Sequence, residues 1–420
     1  MASRGEHLVR ADRRFATGTG LVGRLAAPLF ASVVDQLHDR LEKGGIELTL
    51  PDCSRRRVGF HAAGPVAVVQ IHRWMALVRL ATSGSVGWYK AWAAGEWSSP
   101  DPVPLFDLFA TNAVALGDAA RAKGPMRWTN MAAHRLRDNG LAQARNNIAA
   151  HYDLGNDFYA AWLDPSMTYS SARFAPGDDL ESAQRRKVSM LLDRFDLKPG
   201  DRLLEIGCGW GTLAIEAAKR GAEVVGLTLS VAQKAWADQN IAKAQLSNRI
   251  DIRLQDYRQI SGQYDAIASV EMVEAVGERW WPAYLDCLSR NLKPGGRAAL
   301  QFISIDHRLF DRYAASADFI QTYIFPGGML LDEPKFAALA AERGLSWEDR
   351  DGFGQDYAET LRQWRYRYDA AVESGRLAEF GEAFHRLWRY YLMYCEGGFK
   401  GGGIDVAQVT LTRSHATDEA

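Results

Sequence analysis

The stretch RLLEIGCGWGT at residues 202–212 decides the fold of this chain. A mostly apolar run of strand length leads into three glycines at alternate positions, Gly207, Gly209 and Gly211, and a helical pattern follows. A glycine-rich turn between a strand and a helix lies at the carboxyl end of the strand, where open α/β sheets bind their ligands. Backbone without Cβ atoms can approach a nucleotide closely, and the carboxylate of Glu205 can orient a positively charged group. The stretch therefore predicts a nucleoside site.

The spacing of these glycines disfavours a dinucleotide. A dinucleotide site carries the pattern G-x-G-x-x-G, whereas Thr212 stands where the third glycine would be. NAD is therefore not the expected ligand.

On the carboxyl side of the turn, apolar runs of strand length alternate with helical patterns. The predicted strands are EVVGL at 223–227, RIDIRL at 249–254, YDAIASV at 264–270 and RAALQFISI at 297–305. This alternation predicts an α/β fold, with a doubly wound, mostly parallel sheet between two layers of helices. Two further helices are predicted, followed by IDVAQVTLTR at 404–413, which we expect to close the sheet at its end.

The front of the chain has a different pattern. Short alternating runs between residues 46 and 80 are broken by proline and glycine, which predicts a small sheet. Aromatic residues crowd together between 88 and 97. Such a cluster is typical of a core, and its amphipathic rings also suit contact with lipid.

Weak periodicity from 124 to 140 places a domain junction there. We therefore expect a smaller N-terminal α+β domain at 1–125 and a larger domain at 126–420. Residues 126–170 of the larger domain are predicted to form a linker and N-terminal helices.

Composition excludes several classes of protein. With 47% hydrophobic and 24% charged residues, the 420-residue chain is not of the disordered class. Its net charge of −1 gives no global basic field for non-specific binding to nucleic acid. Residues 1–150 nevertheless contain 19 basic and 12 acidic residues. This excess of positive charge suits binding to an anionic membrane surface. The alternative is an ordinary solvated surface.

Cysteine and histidine usage adds two expectations. The four cysteines are too few and too scattered for a disulfide framework, so we expect free thiols. The nine histidines form neither H-E-x-x-H nor a zinc pattern with cysteines, so no metal is expected.

No apolar run has the length of a membrane-spanning helix. The arginine-flanked run at 21–34 imitates a secretory signal, but its polar continuation favours an amphipathic helix. We therefore expect a cytoplasmic protein.

The ends of the next two predicted strands carry further candidate nucleoside contacts. Thr228 and Leu229 follow the second strand, at the corner that receives the ribose, and Asp256-Tyr257 follows the third. A carboxylate there can accept a hydrogen bond from an adenine amino group, and a ring can stack on it. Together with the glycine turn, this order resembles class I S-adenosylmethionine-dependent methyltransferases, although Thr228 replaces the acidic residue common at the corner.

Several longer strings resemble a narrower family, the cyclopropane fatty acid synthases and mycolic acid methyltransferases. The resemblance spans about residues 130–412. The matching strings are NIAAHYDLGNDFY at 147–159, MTYSS at 167–171, GLTLS at 226–230 with Gln233, SVEMVEAVG at 269–277, LQFIS at 300–304, IFPGG at 324–328 and EGGFKGGGIDVAQVTLTR at 396–413.

This resemblance implies methyl transfer from S-adenosylmethionine to the cis double bond of an unsaturated acyl chain, usually on a phospholipid, forming a cyclopropane. It implies a Rossmann-like methyltransferase sheet with a lipid-binding N-terminal domain. It also implies that the protein docks peripherally on the inner membrane face. A homo-oligomer is one of the oligomeric states that it allows. The implied cofactor-binding residues are Tyr169, Ser170, Glu205, Gly207, Gly209, Gly211, Thr228, Leu229, Gln233, Asp256 and Tyr257.

The family also implies a catalytic group around a bound bicarbonate that acts as the base. Glu274, Tyr357 and the amide of Ile303 match three of its ligands, whereas Ser171 and Gln301 stand in place of the usual cysteine and histidine. Serine and glutamine can donate hydrogen bonds, but glutamine cannot carry a positive charge. The departure puts bicarbonate dependence in doubt. His151 is interpreted as a structural or pocket-wall residue.

An aromatic face can stabilise the carbocation that alkene methylation creates. The alternative for each candidate is that it is an ordinary core residue without a catalytic role. The candidates are Tyr169, Phe302, Tyr323, Phe325, Trp364 and Tyr368. Two other functions stay open, namely a methyltransferase that makes a branched methyl or methylene acyl chain and a non-catalytic lipid-binding protein.

Overall fold

The computed structural model describes residues 4–9, 27–117 and 154–415, with the side chains of 27–33 left aside. His151, most of the string at 147–159 and the predicted junction at 124–140 lie outside this description.

The strands are β1 (Gly45–Thr49), β2 (Arg55–Gly59), β3 (Val66–Ile71), β4 (Trp97–Ser98), β5 (Arg202–Ile206), β6 (Glu223–Thr228), β7 (Ile250–Leu254), β8 (Tyr264–Val270), β9 (Leu292–Ile305), β10 (Leu345–Gly352) and β11 (Ile404–Arg413). The helices are α1 (Glu6–Val9), α2 (Ala27–Arg40), α3 (Met75–Ala93), α4 (Val103–Thr111), α5 (Ala113–Leu116), α6 (Asn156–Ala160), α7 (Leu180–Leu192), α8 (Thr212–Lys219), α9 (Val231–Lys243), α10 (Trp281–Asn291), α11 (His307–Ala314), α12 (Phe319–Tyr323), α13 (Glu333–Ala341), α14 (Gly354–Glu373) and α15 (Glu382–Lys400).

The chain divides into two compact units, each built from three segments. The first unit comprises Met1–Leu136, Arg308–Pro326 and Trp364–Ile404, and the second comprises Arg137–His307, Gly327–Gln363 and Asp405–Ala420. This differs from the division into 1–125 and 126–420 in that two later segments belong with the front of the chain. The helices of these two segments contribute residues to the core of the first unit. A search for one boundary along the sequence does not reveal such a contribution.

The first unit contains the small sheet predicted between 46 and 80. Its strand order is β2-β1-β3-β4, with β1 parallel to β3 and the other pairs antiparallel. Strand β3 alternates strictly between exposed and buried residues, as expected when one face of a sheet covers a core.

The aromatic residues between 88 and 97 contribute mainly to this unit's core. Trp88 stacks on Trp97 with ring centroids 4.4 Å apart, and both are buried. Tyr89 is fully buried, and its ring contacts those of Phe319 at 4.9 Å and Tyr390 at 5.1 Å. The core alternative therefore holds for these three members of the cluster.

The second unit contains the doubly wound sheet, in the order β10-β11-β9-β8-β5-β6-β7. The pairs among β5 to β9 are parallel, and β10 is antiparallel to β11. The central strands are buried on both faces because helices cover both, which explains their continuous apolar runs. The predicted α/β fold is confirmed. Strand β11 lies one place inside the edge, next to β10.

Within the first unit, α15 and α4 approach closely at Gly397. A Cβ atom at this position would lie 2.4 Å from Cβ of Phe106, so a larger residue would force the helices apart. We expect Gly397→Ala to lower the free energy of unfolding by about 1–3 kcal/mol, the usual cost of overpacking. Gly398→Ala is the matched control, since its Cβ would find its nearest neighbour, on Ile404, at 3.3 Å. Denaturant unfolding measures both, and equal stability of the two variants would contradict the prediction.

Candidate functional site

A cavity of about 210 Å³ opens in the second unit at the carboxyl ends of β5, β6 and β8. It lies where the glycine turn predicted a nucleoside site. The predicted cofactor residues that line it are Tyr169, Ser170, Glu205, Gly207, Gly209, Thr228, Leu229, Gln233, Asp256 and Tyr257.

The glycine turn shapes one wall of the cavity. Gly207 and Gly209 have φ values of 84° and 51°, which residues with a Cβ rarely adopt. A Cβ on Gly209 would meet nothing within 4 Å, so it would point into open space. Gly209 thus leaves space for a ligand, whereas a Cβ on Gly207 would lie 2.9 Å from Cγ of Met272.

Gly211 does not line the cavity, although it was predicted to bind the cofactor. It precedes α8 with a φ of 90°, and a Cβ there would lie 3.0 Å from Cβ of Ala237 on α9. Its absent side chain allows α8 and α9 to pack closely. The repeated G-x-G spacing cannot separate these two uses of glycine.

Side chains at the ends of β6 and β7 hold one another in place. Thr228 donates to Oε1 of Gln233 at 2.9 Å, and Ser230 caps α9 by accepting from the amide of Gln233 at 3.2 Å. Both oxygens of Asp256 accept from the Arg258 guanidinium at 2.8 Å. This fixes the Asp256 carboxylate on the cavity wall, while its contact with adenine stays a prediction.

A carboxylate and an ammonium group face the same cavity. Glu205 is 4% exposed and Lys187 1% exposed, and burial shifts the pKa of each to about 8, upward for Glu205 and downward for Lys187. Oε2 of Glu205 has no hydrogen-bond partner among the described residues, and Nζ of Lys187 donates to Oγ of Ser170 at 2.6 Å. The ammonium and carboxylate of an amino acid, which S-adenosylmethionine carries, would favour ionised Glu205 and protonated Lys187, so the two side chains complement such a ligand.

Lys187 was not predicted from the sequence. It lies on α7, one turn after Gln184, and both side chains are buried. Gln184 donates to the carbonyl of Ser170 at 2.8 Å. The sequence did contain a signal for Lys187. Two polar residues lie three positions apart on a helix face that otherwise packs into the core.

The residues predicted to surround bicarbonate separate into two groups. The amide of Ser171 and the side chain of Gln301 both donate to Oε1 of Glu271 at 2.8 Å, and the Tyr357 hydroxyl donates to Oε2 of Glu271 at 2.6 Å. The Ile303 amide donates instead to Glu274. The predicted ligands are thus adjacent, but they surround a carboxylate that was not predicted.

The serine contributes differently from the expectation. The hydroxyl of Ser171 donates to the carbonyl of Ala172 at 3.0 Å, so its backbone amide, and not its side chain, faces the anion. Glu271 was missed because the string SVEMVEAVG has two glutamates and only the second matches the family's.

Glu271 and Glu274 differ in their access to the cavity. Both residues are half-buried, and Glu271 lines the cavity. Glu274 is absent from its lining, and its Oε2 is enclosed without a partner among the described residues. Burial, reinforced by the charge of Glu271, raises the pKa of Glu274 to about 8.

The aromatic candidates do not gather around this cavity. Tyr169 lines it, whereas Phe302 is fully buried and packs against Trp347 with centroids 5.6 Å apart. The other four belong to the first unit, where Tyr368 forms a 2.7 Å hydrogen bond with His385.

Two further features concern the described ranges as a whole. No helix in them combines the length and apolarity needed to cross a membrane, and no cluster of His, Cys, Asp or Glu within them is arranged to hold a metal ion. The four cysteines are free thiols, as predicted.

The glycine turn yields a direct test of the cofactor site. We expect Gly209→Val to weaken binding of S-adenosylhomocysteine at least tenfold, because a branched side chain would enter the cavity and strain a left-handed backbone. Gly177→Val is the matched control, since Gly177 also has a positive φ, of 87°, and open space around it, but does not line the cavity. Calorimetry measures the affinity, and unchanged binding by a folded Gly209→Val variant would exclude the turn from the site.

Known proteins similar to this chain include a tuberculostearic acid methyltransferase and cyclopropane synthases. The tuberculostearic acid methyltransferase UfaA1 of Mycobacterium tuberculosis is 40% identical over 357 residues, which cover 82% of either chain. The cyclopropane-fatty-acyl-phospholipid synthase of Escherichia coli K12 is 39% identical over 266 residues, which cover 63% of this chain and 66% of the synthase. The structure of the mycolic acid cyclopropane synthase CmaA1 with SAH and CTAB is 31% identical, with a TM-score of 0.60, and covers 64% of this chain and 98% of that one.

Residues 140–409 match the family described as mycolic acid cyclopropane synthetase. This match covers more than half of the chain and includes the residues that line the cavity, among them Glu205 and Lys187. The chain therefore belongs to the mycolic acid cyclopropane synthetase family and is an S-adenosylmethionine-dependent methyltransferase.

Proposed function

We propose that this enzyme transfers a methyl group from S-adenosylmethionine to the cis double bond of an unsaturated phospholipid acyl chain and closes a cyclopropane ring. The observation that carries the proposal is a pair of glutamates, Glu271 and Glu274, directly after β8 beside the nucleoside cavity. Methylation of an alkene needs a group that removes a proton. Methyl transfer to an amine or hydroxyl that is already basic enough does not need such a group at the same step.

The proposed reaction balances as follows. The bond between the sulfonium sulfur and its methyl group breaks as a bond forms between that methyl and one alkene carbon, leaving a carbocation on the other carbon. Loss of a proton from the transferred methyl lets its electron pair close the ring. S-adenosylhomocysteine and a protonated base remain.

The cavity lining suits a weak nucleophile such as an alkene. The side chains of Ile206, Leu227, Val270 and Val276 provide apolar wall, and Tyr169 provides an aromatic face. An apolar wall excludes water that would capture a cation, and an aromatic face stabilises the cation. This supports methyl transfer to carbon.

A branched methyl or methylene acyl chain is the second candidate product. Loss of a proton from the methyl-bearing chain carbon of the same carbocation gives a methyl-branched alkene. A 1,2-hydride shift that moves the cation to that carbon, followed by proton loss from the methyl, gives an exocyclic methylene. A saturated methyl branch then requires two-electron reduction by a partner enzyme. The coverage of the relatives favours this product. The tuberculostearic acid methyltransferase UfaA1 aligns over 82% of this chain, whereas the E. coli cyclopropane-fatty-acyl-phospholipid synthase aligns over 63%.

Mass spectrometry and proton NMR of the product lipid decide between these outcomes. Incubation with S-adenosylmethionine and vesicles of a monounsaturated phospholipid should add one CH2 to the acyl chain. Ring methylene resonances indicate cyclopropane, whereas a new methyl or an exocyclic methylene signal indicates the branched alternative. Gly209→Val is the negative control, and an unmodified lipid with the active-site residues intact would contradict the proposal.

We also propose that the protein docks peripherally on anionic membranes. In the first unit, the register places Arg57, Glu47 and Val68 on the same face of adjoining strands β2, β1 and β3. Arg55 and Arg57 are exposed there, and Val68 is 46% exposed. Arginines beside exposed valines match a surface of anionic headgroups over hydrocarbon. A location on the inner membrane face and the number of subunits stay predictions.

Sedimentation with vesicles tests the docking proposal. We expect association to increase with the fraction of anionic lipid and to weaken as salt rises, because screening reduces the attraction. Arg55→Gln with Arg57→Gln should weaken it further than Arg249→Gln with Arg253→Gln, a control pair in the second unit. Association that ignores lipid charge would contradict the electrostatic part of the proposal.

A further inference from the structure

The carboxylate of Glu271 collects donors from three of the positions that the family resemblance assigns to a bicarbonate site. Ser171, Gln301 and Tyr357 come from three separate parts of the second unit, and their donor groups all reach this one side chain within 2.6–2.8 Å. All three residues are less than 10% exposed. Such convergence of buried donors defines a built anion site.

These hydrogen bonds leave one oxygen of Glu271 able to accept a proton. An ionised carboxylate has about four lone-pair positions, two on each oxygen. Oε1 accepts from Ser171 and Gln301, which uses both of its positions, whereas Tyr357 is the one donor to Oε2 among the described residues. Because Glu271 lines the cavity, the remaining position on Oε2 belongs to a group that substrate can approach.

The same contacts leave no donor set for bicarbonate. The fifth predicted ligand, the amide of Ile303, donates to Glu274. The amide orientation of Gln301 is fixed as well, since its Oε1 accepts from Gln408 at 3.1 Å. Every predicted bicarbonate ligand is therefore already paired with, or is itself, a group of this chain, and the residues present do not fit a separate anion.

The backbone at Glu271 is also unusual. Its φ of 47° lies in the left-handed region, which strains a residue with a side chain and favours glycine. The conformation is held by the Glu271 amide, which donates to the carbonyl of Gln301 at 2.7 Å. A glutamate at such a position indicates that its carboxylate is needed there.

The charge of Lys187 favours the ionised form of this carboxylate. Loss of contact with water raises the pKa of Glu271, and its three donors together with the Lys187 ammonium oppose that effect. Lys187 lines the same cavity. A base must be ionised before it can accept a proton, so these surroundings suit that role.

From these contacts we propose that Glu271 is the proton acceptor of the reaction and takes the place of bicarbonate. The inference rests on the proposed function. After methyl transfer, Oε2 of Glu271 takes the proton from the carbocation, and the C–H electron pair closes the ring or forms a double bond. The neutral carboxyl group then returns the proton to water. Glu274 fixes the Ile303 amide in this arrangement.

Bicarbonate titration and substitution of Glu271 test the proposal together. In carbonate-depleted buffer, the unmodified enzyme should keep its turnover, with less than about a twofold gain on adding bicarbonate. Glu271→Gln should lower kcat by two orders of magnitude or more, the usual scale for an acid-base group. Its affinity for S-adenosylhomocysteine should stay within about threefold, since the lost step comes after binding.

Glu271→Gly provides the decisive variant. Glycine relieves the left-handed strain, so the variant should fold, and it leaves the donors of Ser171, Gln301 and Tyr357 around an open space. Added bicarbonate or formate should then restore turnover at least tenfold in this variant and not in the unmodified enzyme. Glu216→Gln, an exposed carboxylate on α8 paired with Lys219, is the control and should match the unmodified enzyme.

The possible results separate the two levels of inference. Strong stimulation of the unmodified enzyme by bicarbonate, or near-normal turnover of folded Glu271→Gln, overturns the assignment of Glu271 alone. Absence of any methylated lipid from an enzyme that binds S-adenosylhomocysteine overturns the proposed function and this inference with it. If Glu271→Gly does not fold, the bicarbonate titration and Glu271→Gln still decide.

Discussion

A carboxylate withdrawn from water must be met by hydrogen-bond donors or by a cation, and the cavity end of the second unit is arranged around this requirement. Glu205, Glu271 and Glu274 lie within or beside one cavity, with Lys187 as a buried cation among them. The three carboxylates differ in how they meet this requirement for donors or a cation. Glu271 accepts from three donors, Glu274 accepts from a backbone amide, and Oε2 of Glu205 is enclosed without a partner among the described residues.

This arrangement explains why a parallel sheet suits the chemistry. The carboxyl ends of β5 and β8 are neighbours, so Glu205 within one strand and Glu271 after the other reach the same space without any long loop. Helix α7 then contributes Lys187 from the covering layer. The proposed cofactor contacts and the proposed proton acceptor thus share one electrostatic environment, and a change in charge at one of these groups alters the pKa of the others.

How far sequence reasoning reached depended on the range of the interaction. Strands β5 to β9 and the glycine turn follow from local periodicity and spacing, which are complete within a few residues, and the structure has them where expected. Gly211 looked like its neighbours because a one-dimensional pattern cannot show that α9 lies against it. The partition of the chain was also out of reach, since helices beyond residue 307 join the first unit through contacts distant in sequence.

The same limit explains the choice of glutamate. Glu271 and Glu274 are three residues apart, and only the positions of Ser171 and Tyr357, 100 and 86 residues away, show which carboxylate they bind. The matched motif named the three residues that donate to Glu271 as ligands of bicarbonate, and it did not name the Glu271 carboxylate. Lys187 was missed for a related reason, because a lysine within a helix is usually solvated and its partner Ser170 lies on a separate segment.

The arginines of β2 have a consequence beyond any contact with lipid. In the described sheet β2 is an edge strand, paired with β1 on one side only, so its other side presents unpaired backbone groups that could template a second chain. Three consecutive arginines, Arg55 to Arg57, place repelling charge along that edge. The same residues therefore protect the folded protein from aggregation through edge-to-edge pairing, and a homologue that lost them would need another means, such as a proline or a covering loop, to stay dispersed at high concentration.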